Sequence, residues 1–300
     1  MIRRILGTTA TLLTTILLIG ATGCSEKHQM LTDPVSASAS PASAGGGTGD
    51  GSGLDARADT ETQDAHARSI EAPTTITAPG NYQLTRDLVV REGDAIVIQA
   101  SNVRLWLGEH TLTGPGNKTG RAIVIDGARN VLVRGGRIRS FGLGVALLGA
   151  RGCRVRDVDI RGGDETADPA NGNPPQIGVM LINSATNMIV DNHLRDLNLG
   201  LFVRGGESTR NLLHENVLLG GQHGLLGICY NPAPTGGMAG PHEDRVTANV
   251  IARFGKGISA SQGSAHNHFI ENTIRYFDVA WSDLNGTNTF AANRAVQIAR

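Results

Sequence analysis

An all-β parallel solenoid is the fold class that this sequence predicts, and three observations predict it. Short apolar segments recur in three families along the chain. The shortest repeats, from 122 to 144 and from 178 to 200, are only 22 residues long. One asparagine, at Asn192, Asn216, Asn249 and Asn272, returns at the same point of successive repeats. A unit this short cannot close its own core, but stacked units can, by pairing strands between coils about 4.8 Å apart.

The first family begins at Ala95, Ala122, Gly144, Gly178, Gly200, Gly224 and Gly257. The second begins at Asn102, Asn130, Cys153, Asn187, Asn211, Asp244 and Asn267. The third begins at Thr111, Arg137, Asp159, His193, Val217, Val250 and Thr273. Each segment alternates apolar and polar residues and ends at Gly, Asn or Asp, the pattern of a short strand. Seven to eight such three-strand coils fill residues 73–300. The asparagine column falls between second and third strands, where stacked amides can bond along the axis and Asn tolerates a left-handed turn. Phe141, Leu197, Phe254 and Phe277 form a second column, read as an interior stack.

The N-terminus reads as an address. Arg3 and Arg4 precede an apolar run, and Ala21-Thr22-Gly23-Cys24 resembles a bacterial lipobox. Residues 1–23 are expected to be a lipoprotein signal peptide. Cys24 is expected to be lipidated and to anchor the chain to a membrane, and residues 24–72 to be an Ala/Ser/Gly-rich tether. Ser25 after the cysteine suggests the outer membrane in a Gram-negative cell envelope. Lys plus Arg and Asp plus Glu are balanced at 27 each, and there are eleven aromatics. Binding driven by nucleic-acid phosphates or base stacking is therefore not expected. A monomer is expected.

Three strands per coil, the asparagine ladder, and the segments Gly80-Asn-Tyr-Gln-Leu-Thr-Arg-Asp-Leu and Trp106-Leu-Gly-Glu-His-Thr-Leu-Thr-Gly together resemble the right-handed parallel β-helix, pectin-lyase-like superfamily. The resemblance covers residues 73 to about 295. It implies a glycan-binding cleft on the first-strand sheet and leaves the chemistry open, because the superfamily holds lyases, hydrolases, epimerases and proteins of unknown role.

Insertions at Thr113–Arg121, Arg161–Ile177 and Cys229–Glu243 border that sheet and would wall the cleft. Alternation puts Asp126, Ala146, Met180, Phe202, Arg204, Leu226 and Ile228 on its floor. Of these, Asp126, Met180 and Phe202, with Glu243 from the wall, are the candidate substrate contacts. The apolar centre suits a neutral sugar face, or a covered patch, better than a polyuronate.

His223 and Lys256 each precede a first strand and are expected about 5 Å apart in one column. For a polysaccharide lyase, Lys256 or His242 would be the base, Arg204 the charge stabiliser, and Tyr230 or His223 the acid. Pro241-His242-Glu243 is similar to three residues of the Asp-Pro-His-Glu motif of alginate C5-epimerases, with Gly240 in place of its aspartate. That resemblance implies roles for His242 and Glu243 only. Paired carboxylates for hydrolysis are not evident on the floor. No cofactor is required; Asp164, Glu165 and Asp168 offer oxygen ligands for Ca²⁺. Arg139, Arg161, Arg195 and Arg275 share an outward column, with Asp157, Asp196 or Asp278 as expected partners. Cys153 and Cys229, three coils apart, are expected as unpaired thiols. The rival to an enzyme is a non-catalytic β-helix surface module that binds glycan or envelope partners.

Overall fold

A computed structural model describes residues 66–116, 119–163, 175–231, 240–284 and 286–297. The signal segment, Cys24, the tether and the Asp164, Glu165 and Asp168 group lie outside these residues. Every described pairing between strands is parallel, as stacking of like segments requires. Nine first strands, from Thr74–Ile76 to Val279–Asp283, form one sheet in chain order. The second and third strands form a continuous sheet of 17 strands around the other sides.

In the early coils, second and third strands run on without a break as Val103–Thr113 and Leu132–Arg139. Glycines at positive φ (Gly108, Gly135, Gly136) bend them instead. From the coil of Cys153 onward the bend is a turn, and the strands separate. The left-handed residue is not the ladder asparagine, as expected from the sequence. It is the residue before it: Asp191, Glu215, Ala248 and Glu271, at φ 53–58°.

The asparagine column is a continuous amide ladder. Asn192 Nδ2 donates to Asn216 Oδ1 at 3.0 Å, and the chain continues through Asn249 and Asn272 to Asn293 at 2.9–3.0 Å per step. A second ladder stands one turn earlier, through Asn187, Asn211, Asp244, Asn267 and Asn288. The first four of these were read as strand starts. They are wholly or largely buried, and they satisfy backbone groups of adjacent coils.

The core is the interior of the coil, a single apolar column that includes Phe141, Leu197 and Phe254, with Phe277 packed on it. A third column sets how closely the coils approach. A Cβ built on Gly144, Gly178, Gly200, Gly227 or Gly257 would lie 2.5–2.7 Å from the carbonyl oxygen of the next coil. Only glycine fits there. That column corrects one register expectation. Leu226 pairs with Leu199 and Ile228 with Leu201, so Gly227, not Gly224, continues the series.

Candidate functional site

The corrected register rearranges the proposed catalytic set. An odd slip of three residues exchanges inside and outside on a strand. Ile228 and Tyr230 therefore face the core, and Cys229 faces outward. Tyr230 is wholly buried, edge-on to Phe269 with ring centroids 5.3 Å apart. Burial drives its phenol well above the usual range. It is a core residue, not a wall acid.

His223 and Lys256 do not share a column, because Lys256 pairs with Leu226. Lys256 stands at the start of its strand, level with Leu199 through Leu226, whereas Arg204 closes the strand that Leu199 opens. Five residues along a strand separate the two positions by about 16 Å. His242 lies beyond Arg204's end, on the turn column of Thr209 and Ala265. It is half-buried, with Nδ1 3.3 Å from the Gly240 carbonyl. The catalytic candidates are thus divided between two edges of the sheet and its interior.

Apart from Ile228, which Cys229 replaces, the floor residues face outward as expected, but its apolar centre is not open. Val124, Ala146, Met180, Phe202 and Cys229 form a second apolar cluster, each at most 8% exposed. Arg204 is buried beside it, and that burial lowers its pKa. Met180 and Phe202 are therefore not accessible sugar platforms. Asp126 is exposed at the sheet's edge, near Gln99. Glu243 is exposed and held by Arg210 at 2.8 Å, which keeps its carboxyl below the usual value. Most of the insertions that would wall the floor, 164–174 and 232–239, lie outside the described residues.

The cysteines divide. Cys153 is a buried free thiol raised in pKa by burial, as expected. Cys229 is disulfide-bonded, which corrects the expectation of a second free thiol. Three arginines of the column are ion-paired. Arg161 meets Asp196 at 2.7 Å as expected, and Arg139 and Arg195 share Asp159, each at 2.7 Å. Asp157 binds Arg134 and Arg156 instead. No group of three or more potential metal ligands occurs among the described residues.

One groove has the chemistry that the floor lacks. It has a volume of about 560 Å³ and lies on the turns from third to first strand. Gln222, Arg253, Tyr276 and Asp278 supply its side chains, and Gly221, Gly224 and Gly255 its bare backbone. Arg253 and Tyr276 immediately precede Phe254 and Phe277 of the interior column, and both have left-handed φ, 65° and 53°. This turn sends the aromatic inward and the residue before it outward. Backbone bonds from Gly255 N to Gly224 O and from Asp278 N to Gly255 O, both 2.9 Å, lock the three coils together. A Cβ on Gly224 would meet the Arg253 carbonyl at 2.7 Å, so close coil contact keeps this part of the floor free of side chains. Tyr276 is 38% exposed. The sequence signal for these residues was available: each outward position stands one before the interior column. Chain neighbours place His223 (between Gln222 and Gly224) and Lys256 (after Gly255) at the groove's border.

Comparisons with known proteins agree with the architecture. No curated protein matches the chain. A tailspike protein of E. coli bacteriophage HK620, a double mutant solved in complex with a pentasaccharide, superposes with a TM-score of 0.50 at 11% identity. The match covers 77% of this chain and 56% of the tailspike chain, so this chain spans little more than half the length of that structure. The family model "Right handed beta helix region" matches residues 87–274. With coils that repeat every 21–34 residues, parallel ladders and one interior column, this chain belongs to the right-handed β-helix family.

Proposed function

We propose that this protein is a lipid-anchored, cell-envelope β-helix that binds a glycan in the groove of Gln222, Arg253, Tyr276 and Asp278. One observation carries the reading: an exposed tyrosine ring stands beside a guanidinium, a carboxylate and a carboxamide, over a glycine floor. An aromatic face takes the apolar side of a sugar ring, and planar polar groups take its vicinal hydroxyls. The tailspike of the same fold, solved with a pentasaccharide, lends support. Binding is favoured over catalysis because Arg204, His242 and Tyr230 stand apart from this groove. One observation favours a polysaccharide lyase as a second reading. Lys256 and His223 flank the groove, where Lys256 could take the proton α to a uronate carboxylate and Arg253 stabilise the resulting charge.

Titration of the intact protein with a panel of neutral and uronic glycans tests the site. Tyr276→Ala should weaken binding roughly tenfold. Binding that Tyr276→Ala leaves unchanged, or no binding by the wild type, refutes the assignment. Unsaturated products that disappear in Lys256→Ala would establish the lyase instead. The anchor is tested separately. A thioether at Cys24 and an intrachain disulfide of Cys229 exclude each other, because Cys153 is free and the sequence has three cysteines; mass spectrometry of the mature N-terminus, a diacylglyceryl cysteine against a disulfide-linked peptide, decides between them.

A further inference from the structure

The outward face of the first-strand sheet is apolar and covered. Inter-coil register makes one column from Leu143 to Leu226 and a second from Val124 through Met180 and Phe202 to Cys229. The face is about 19 Å long on the coil axis, and the columns stand three residues, about 10 Å, apart. Its nine buried side chains are each at most 8% exposed, yet every described member of the cluster belongs to the sheet itself. Such a face is stable only under an apolar cover. The insertions at its rim are poor in apolar groups: in residues 164–174 and 232–239, Met238 alone has a large apolar side chain. Cys229 identifies the segment that reaches the face. It is disulfide-bonded, and Cys153 is free. A chain with three cysteines leaves Cys24 as the partner of Cys229. The reach is sufficient. The strand of Cys229 stands six rungs, about 29 Å, from Thr74–Ile76 in the sheet order, and about 40 residues of flexible chain span roughly 35 Å.

We propose that this face docks the acyl chains carried on Cys24 and shelters them from water when the protein is outside the bilayer. This docking rests on the lipid-anchor reading. The disulfide of the unmodified chain brings residue 24 to the face. The thioether, which excludes that disulfide, puts hydrocarbon on the same residue and leaves Cys229 a thiol. The dimensions agree: a face about 19 Å long accommodates the roughly 15 Å that one leaflet contributes to a bilayer core of about 30 Å. The ends are polar. Register carries the first column on to Arg121 at one end and Lys256 at the other, so the apolar stretch is bounded. A sugar fits poorly, because the two columns offer its hydroxyls no hydrogen-bonding side chain apart from one sulfur. A second copy of the chain fits poorly too, because the face is already covered within a single chain. The anchor is thus reversible, with its chains either in the bilayer or on the sheet.

The mature protein tests this directly. Cells are fed a fatty acid that bears a photoactivatable diazirine, the protein is purified and freed of detergent, and its cross-links are mapped by mass spectrometry. They should fall within Ile177–Ile182 and Leu199–Arg204, the strands of Met180 and Phe202. Phe202→Arg puts a charge in the path of the chains. It should lose at least about tenfold of those cross-links, while the fraction bound to lipid vesicles rises. Thermal denaturation checks that this variant is folded; if it is not, the wild-type map decides alone. Cross-links confined to other surfaces, or joining two chains, overturn the proposal. So does a folded Phe202→Arg variant with the wild-type map. A protein that takes up no acyl label refutes the anchor reading and the docking with it. A labelled protein without cross-links on the sheet refutes the docking alone.

Discussion

Two ladders climb the same stack, and they differ at one residue. The ladder after the second strands is asparagine at every step from Asn192 to Asn293. The ladder before them is asparagine except at Asp244. An amide in such a column accepts from the coil on one side and donates to the coil on the other. Asp244 keeps the accepting half, with Oδ1 taking Asn211 N at 2.7 Å and Asn211 Nδ2 at 3.1 Å. It has no amide hydrogen, so Asn267 Oδ1 receives only the Asp244 backbone N–H, at 3.0 Å. Its Oδ2 and the Tyr230 hydroxyl are both buried without a hydrogen-bond partner. Burial pushes the carboxyl up to about 7, although bonds from the Asn211 backbone and side chain, and the proximity of the Tyr230 phenol, oppose the rise. A repeating scaffold thus tolerates an ionisable defect in one ladder while the other stays uniform.

The largest expected effect comes from breaking the intact ladder. The Asn249 side chain accepts two bonds from Asn216 and donates to the Leu213 and Thr247 carbonyls and to Asn272 Oδ1. Asn249→Ala leaves those buried partners unsatisfied and should cost about 3–5 kcal/mol in chemical denaturation. A loss below about 1 kcal/mol would mean that the apolar column alone holds the coils together.

Repairing the other ladder is expected to have the next largest effect, with the opposite sign. The folded Asp244 pKa lies above its unfolded value, so the native state binds the proton more tightly. Stability should then fall as pH rises from about 3.8 to about 7, and remain low above that. Asp244→Asn removes this slope and restores the donor toward Asn267. It should stabilise the fold by up to about 4 kcal/mol near pH 8 and by much less near pH 4. Denaturation curves of both proteins across that range decide; parallel pH profiles would show that the Asp244 carboxyl has the same pKa folded and unfolded.

The two ladders also show what a sequence can reveal. Strand families, the Asn192 column and the Phe141 column were legible because each depends on spacing, and spacing survives without coordinates. Asn187, Asn211, Asp244 and Asn267 were seen as aligned but taken for strand starts, because alignment does not say which way an amide points. The slip at Gly224 has a sharper cause. Gly224-Leu-Leu-Gly227 offers two glycines, each followed by an apolar residue, and only the carbonyl of Gly257, 2.6 Å from a Cβ built on Gly227, selects the second. That choice moved Tyr230 from a wall to the core and separated His223 from Lys256. The Tyr276 groove was missed because its side chains come from three turns distant in sequence, brought together by stacking.

Tyr230→Phe sharpens the comparison with a smaller change. The phenol is a nearby donor that opposes the rise in the Asp244 pKa. Without it, the pH midpoint of the stability loss should move up by less than about one unit. Removing an unpartnered buried hydroxyl should change stability near pH 4 by no more than about 1 kcal/mol. A midpoint that moves down would mean that the hydroxyl does not favour the charged carboxylate.

The smallest effect is expected outside the coil, where a carboxylate has the partners that Asp244 lacks. Partial burial pushes the Asp159 carboxyl up, but bonds and charge from Arg139 and Arg195 hold it below the usual value. Its folded pKa therefore lies below its unfolded one. The stability it contributes is present above the ordinary carboxylate range and is lost as pH falls through it, the reverse of Asp244. The two arginines are 23% and 43% exposed at their side chains, so water screens much of the interaction. Asp159→Asn should cost no more than about 1 kcal/mol near neutral pH and nothing measurable once the wild-type carboxyl is protonated. Combined with Asp244→Asn, the two substitutions should add, since they lie on opposite sides of the coil wall in different columns. Their sum should flatten stability against pH at both ends, whereas a large departure from additivity would show that the outer ion network and the inner ladder are coupled through the strands between them.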